Sequence, residues 1–497
     1  MGRKFKIIGT ALFLIFLSIN FQYINHEGSA NTASLPSTVK IGFLYPATGG
    51  LGAIGDGLMA GAIAAAYRAN KTFGQLFNVT IVASDTATDP TTAKSSAQTL
   101  ISDGVQVIVG AAASGATLAA SEVTIPNNVP LISYASTSPS ITDLADNDFV
   151  LRVVASDAYQ GIALANLSYN SGATSVYILN LDNAYGNSVA AKFATAYTAL
   201  GGTIVGQTAY DPAATSFATE ISSIKSNSAQ GVILIAYPND ANKIFAEAQT
   251  QGISLPWFGT DGIASSSVTN NVAIRDYLNG TLFGTTPSTG ADAINTIYSQ
   301  FISDLASTSG SYGVYGDYVY DAVLLAAAAV NKTLYYNGPS IRNALYSVAN
   351  GFKGATSPDK SFNCDGEPVS QTYDYWNATN YAVTTQVSAA ASFTNLGSPQ
   401  TFPCGLHPYL PPTTGTGTSP TTGLGTSTTT TTSIPIISSS TSSQSSSQVA
   451  SSSTTQQPPV SSSSSLNTIP ASSPGFELLP LSIMFFVTVI VFRKRNT

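Results

Sequence analysis

Gly231-Val232-Ile233-Leu234-Ile235-Ala236 reads as a short apolar strand, and it runs directly into Tyr237-Pro238-Asn239-Asp240 and a helical stretch. The same unit recurs along the chain. Lys40-Ile41-Gly42-Phe43-Leu44-Tyr45 is such a strand, and a helix is expected from about Asp56 to Asn70. Val79 to Ala83 and Val105 to Val109 follow, and Pro90 suits the first turn of a helix running to about Ser102. Ser175-Val176-Tyr177-Ile178-Leu179 opens the second half in the same way. Near-continuous apolar strands alternating with helices predict parallel sheets covered on both faces. The roughly 370 residues between Val39 and Leu410 exceed what one such sheet needs. The expected fold class is therefore α/β, with two doubly wound parallel-sheet lobes.

Ligands bind open parallel sheets outside the carboxyl ends of the strands. The loops at those ends read Pro46-Ala47-Thr48-Gly49-Gly50, Ala111 to Thr117 and Tyr134 to Pro139. In the second half they are Asp182 to Gly186, Tyr237 to Asp240, and Gly259-Thr260-Asp261-Gly262. They offer hydroxyls, backbone N–H groups and a few carboxylates.

Catalysis is hard to build from this inventory. The two histidines are His26, at the boundary of the leader, and His407, just before the stalk. That removes the usual general base and the usual nitrogen metal ligands. No phosphate-binding loop, nucleophile elbow or zinc-protease motif is present. No enzyme activity, cofactor or metal is expected. A net charge of −7 without a basic face argues against a nucleic-acid partner. Asp85 and Asp89 read as structural, with Asp89-Pro90 forming a helix N-cap.

The two ends carry the address. Arg3, Lys4 and Lys6, the apolar run Ile7 to Ile19 and then Gly28-Ser29-Ala30 have the order of a secretory signal peptide, over residues 1–30. An uncleaved anchor is the alternative, and either reading exports the core. Residues 411–474 are dominated by Ser, Thr, Gln, Pro and Gly, which gives an extended stalk spanning roughly 45 Å as a random coil. Residues 475–492 are mostly apolar and 493–497 carry Arg493-Lys494-Arg495, so a transmembrane segment with an internal basic tail is expected. Pro474-Gly475-Phe476 also resembles the processing signal of archaeal surface proteins, which keeps a cut-and-lipidated end open. Both readings tether the core to the outer face of the cell membrane.

In an exported chain, Cys364 and Cys404 are expected to form a disulfide. Sequons at Asn70, Asn78, Asn166, Asn279, Asn331 and Asn377 are glycosylation candidates.

Over residues 39–395 the loops resemble those of the type I periplasmic binding proteins of ATP-driven transport, in the branched-chain amino-acid binding group. The resemblance is carried by Ile41-Gly42-Phe43 with Ala47-Thr48-Gly49, by Asp85 through Asp89-Pro90, and by Asp103 through Gly110. Pro130 to Ser133, Ser136 to Pro139, Asp182 to Gly186 and Phe258 to Gly262 extend it. It implies a cleft between two lobes that close like a flytrap. The lobes are expected at residues 38–153 with 284–350, and at 154–283 with 351–410. It also implies a small-molecule ligand and, as partners, the permease and ATPase subunits of an ABC importer, with a ligand-sensing surface receptor of the same fold as the alternative. Ser114, Ala135 and Thr137 match the positions that hold the ligand α-carboxylate. Asp261 matches the acid that receives the ammonium, where the family commonly has Glu. Tyr185 and Tyr237 match the aromatic positions of the second lobe. Ile54 stands where some amino-acid binders carry an aromatic ring, which leaves the ligand side chain open; an amide, urea or short peptide fits the same scaffold.

Overall fold

The structure, a computed structural model, describes residues 35–291, 295–380, 382–385 and 391–394. The first sheet contains β1 (Thr38–Tyr45), β2 (Asn78–Asp85), β3 (Ile108–Val109), β4 (Leu131–Ser133) and β5 (Val150–Arg152), in the order β2-β1-β3-β4-β5. Every neighbouring pair is parallel. The second sheet has a parallel part built from β6 (Ser175–Leu181), β7 (Thr203–Tyr210), β8 (Gly231–Ile235), β9 (Trp257–Gly259) and β10 (Leu282–Pro287). All five residues of β8 are buried, as are all but the first of β6, because helices cover both faces. The α/β fold with two doubly wound parallel sheets is thus the observed one.

The second sheet also carries an arm that the strand-helix pattern does not announce. β11 (Ser370–Thr379) lies antiparallel on β10, and β12 (Ala382–Thr385) and β13 (Ala391–Thr394) lie antiparallel on β11. β10 keeps its pairing through Pro287, because β11 extends the ladder along its outer edge.

The chain then returns to the first sheet. Helix Gly316–Thr333 packs closely on helix Gly55–Phe73. A Cβ on Gly61 would stand 2.3 Å from the Gly316 carbonyl oxygen, so only glycine permits this approach. Arg68 clamps the buried Asp304 at 2.8 and 2.6 Å, which ties helix Thr296–Ser307 to the same layer.

Asp89 is the N-cap of helix Pro90–Ser102 and accepts from the Thr92 N–H at 2.7 Å. Asp85 accepts from the Thr48 hydroxyl and the Ala87 N–H, both at 2.7 Å. Cys364 is half-buried and bonds to no other described residue; Cys404 lies outside the described residues. So do the leader, the stalk, and residues 475–497. Among the described residues, no helix is long and apolar enough to cross a membrane. Of the sequons, Asn78 and Asn279 are exposed, and Asn166, Asn331 and Asn377 are partly buried. Asn70 spends its carboxamide on both backbone groups of Val79, and a glycan there would have to break the donor bond.

Candidate functional site

The carboxyl ends of both sheets face one tight chamber, with about 30 Å³ of space open to water. Ser114, Ala135, Tyr185, Tyr237 and Asp261 all line it, together with Ile54. Thr137 does not reach the wall. It is fully buried behind it, and its carbonyl accepts from the Asp157 N–H at 2.8 Å.

The first-sheet wall is made of pinned loops. Ser114 begins helix Ser114–Thr124, whose N-terminus has no side-chain cap, so first-turn N–H groups are available to an anion. The Ser114 hydroxyl accepts from the Ser138 N–H at 3.2 Å. Ser133 and Ser136 hold the Ala111 carbonyl at 2.8 and 3.1 Å, and Ser136 meets the Thr117 hydroxyl at 2.7 Å. Arg152, 1% exposed, fixes the same loop from behind. It donates to the carbonyls of Ser138 and Ser136 and forms a buried ion pair with Glu367.

The second-sheet wall is aromatic and acidic. Asn183 caps helix Ala184–Ala199 by accepting from Gly186 N–H, which sets Tyr185 on the first turn. The Tyr185 and Tyr237 rings stack with centroids 5.6 Å apart. Tyr185 Oη lies 3.0 Å from Asp261 Oδ1 and 2.8 Å from the Thr260 hydroxyl. Gly262 must be glycine, because a Cβ would stand 2.5 Å from the Ala236 carbonyl oxygen. Asp261 is 6% exposed. Burial pushes its carboxyl above the ordinary value, while donors led by the Tyr315 hydroxyl pull it back.

Tyr315 is a site residue that the sequence reading misses. Its hydroxyl donates to Asp261 Oδ2 at 2.7 Å, and its ring lines the chamber with Val314. It precedes a helix rather than following a strand, so the strand-end rule does not point to it. The flanking glycines of Gly313-Val314-Tyr315-Gly316 were the available signal. Asp157 is a second omission. Fully buried, it accepts from the Ser188 hydroxyl at 2.8 Å, and Thr137 and Ser188 both pull its carboxyl down. Burial first, and then the charge of Asp261, push it up to about 7.

A family model described as "Periplasmic binding protein" matches residues 38–375. The chain belongs to the periplasmic binding protein family. Its fold is the type I two-lobed form of the branched-chain amino-acid group. Members are solute-binding receptors rather than enzymes, and act outside the cytoplasm. The Leu/Ile/Val-binding protein BraC3 of Rhizobium johnstonii is 28% identical over 298 residues, covering 59% of this chain and 79% of the relative. The substrate-binding protein LivJ of Streptococcus pneumoniae, solved with isoleucine, is 24% identical with a TM-score of 0.61. That likeness covers 70% of this chain and 100% of LivJ. An R. palustris solute-binding protein, solved with benzoate, has a TM-score of 0.63 at 18% identity, over 72% of this chain and 98% of its own. One scaffold thus serves quite different solutes.

Proposed function

We propose that the cleft captures a free α-amino acid, branched-chain or related, and that the closed protein delivers it to an ABC permease. The observation that carries the reading is Asp261, a buried carboxylate in a chamber whose described lining contains no Lys, Arg or His. A solute bearing only a carboxylate would face this acid with no cation to balance it. A zwitterion puts its ammonium on Asp261 and its carboxylate on the neutral donors around Ser114 and Ala135. Leu51, Ile54 and Val314 give its side chain an apolar wall. In this reading the two lobes close because the ligand touches both. The sequence of the ends supports export and a surface tether, with the Ser/Thr-rich segment as spacer.

A thermal-shift series tests the ligand class with leucine, its deaminated analogue 4-methylpentanoate, and benzoate. At a hundred times its dissociation constant a ligand adds about 2.7 kcal/mol. Leucine is expected to stabilise the chain and the two acids are not. Stabilisation by benzoate but not by leucine would overturn the amino-acid reading.

A further inference from the structure

Beyond Val314 and Tyr315 lies a second cavity, of about 470 Å³. Ile54, Ser265, Val314 and Tyr315 line both spaces, so the two adjoin along this wall. The second cavity is lined by two acids, Asp56 and Asp317, and by no Lys, Arg or His among the described residues. Asp317 is fully buried in the first turn of helix Gly316–Thr333. Its Oδ1 accepts from the Tyr318 N–H at 3.0 Å, and its Oδ2 has no hydrogen-bond partner. The nearby cation, Lys360, attracts Asp317 only at a distance, and its direct contacts go elsewhere. Lys360 lies 3.4 Å from Asp321 Oδ2, bonds the Thr356 hydroxyl and sits over the Tyr318 ring at 5.0 Å.

We infer that this cavity is a second subsite, in which Asp317 receives a cationic group at the far end of an amino acid held by Asp261. The proposal rests on the amino-acid reading of the first chamber and narrows it to basic side chains. An unpartnered buried carboxylate oxygen in the wall of an empty cleft is costly, and an ammonium donor removes that cost. Burial, followed by the charge of Asp321, pushes Asp317 up to about 7, and a bound cation would bring it down again. Ile54 and Val314, shared by both spaces, suit the methylene stem between the two charged ends.

Calorimetry on the full chain, with lysine and norleucine as probes, separates the possibilities. The two share the aliphatic stem and differ in the terminal ammonium. Lysine is expected to bind at least tenfold more tightly. Asp317→Asn should bring the two within twofold, chiefly by weakening lysine. If norleucine binds and lysine binds no better, the second subsite is wrong and the amino-acid reading stands. If neither binds, both fall. If lysine is preferred and Asp317→Asn keeps the preference, Asp317 is not the receptor of the cation. Should that variant not fold, the lysine-to-norleucine ratio on the parent chain still decides.

Discussion

On the first-sheet side, the chamber presents hydroxyls and backbone N–H groups from the Ser114 and Ala135 loops, held by Ser133, Ser136 and Arg152. On the second-sheet side it presents the buried acid Asp261 beneath two stacked tyrosines. One wall is neutral and preorganised by loops; the other carries a charge that burial makes expensive. A neutral donor set serves any carboxylate, so it does little to choose among solutes. An uncompensated buried carboxylate chooses strongly, because it penalises every ligand without a cation. Selection therefore lives on the second wall and general affinity on the first.

This asymmetry is broken most directly at Asp261. Asp261→Asn should weaken amino-acid binding by roughly 3–5 kcal/mol, because the bound ammonium would lose its buried partner. Ser114→Ala removes one neutral donor to a charged group and should cost less, about 1.5–3 kcal/mol. Calorimetry with one amino acid on both variants reads the order. Equal losses would mean that the walls do not divide the work in this way.

Asp157 sharpens the same comparison without any ligand. Its folded pKa of about 7 lies above the 3.8 of a free side chain, so the native state holds the proton more tightly. Stability from this group is fully present below about pH 4 and is lost as the pH rises toward 7. A shift of that size corresponds to at most about 4 kcal/mol. Asp157→Asn cannot lose a proton there, so it should melt higher than the parent at pH 8 and alongside it at about pH 3. A melting difference that does not change with pH would show that the carboxyl is not strained by its burial behind Asp261.

The two walls are not equally legible in the sequence. β8 reads to within one residue, Gly231–Ile235 against Gly231–Ala236, because a parallel strand covered on both faces must be apolar throughout. The strand-end rule then leads to the loops of the wall, since those loops follow strands directly, and the family resemblance picks out Ser114, Ala135, Tyr185, Tyr237 and Asp261 within them. The antiparallel arm escapes it because β11 buries Gln371 and Asp374 among its aromatic residues, which spoils any apolar pattern. Tyr315 and Asp157 escape for a different reason. Each acquires its role from groups far along the chain, Asp261 in one case and Ser188 in the other, and no local spacing records that.

The smallest effect tests whether closure itself is a separate contribution. Asn239 sits in the first turn of helix Pro238–Thr250 and donates across the cleft to the Gly49 carbonyl at 2.8 Å. It is exposed and lies outside the chamber lining, so a bound solute would not touch it. The bond can form only when the loop after β1 and the loop after β8 are close. Apparent affinity scales with the fraction of protein in the binding-competent state, so losing a closed-state contact should weaken all ligands alike. A single exposed hydrogen bond is worth roughly 0.5–1.5 kcal/mol, and this one belongs at the lower end. Asn239→Ala should therefore weaken binding about threefold, by the same factor for leucine, norleucine and lysine. Calorimetry on the three probes measures that factor. A factor that differs between them would place Asn239 in the recognition of the side chain, and the division between a closing edge and a selecting wall would have to be redrawn.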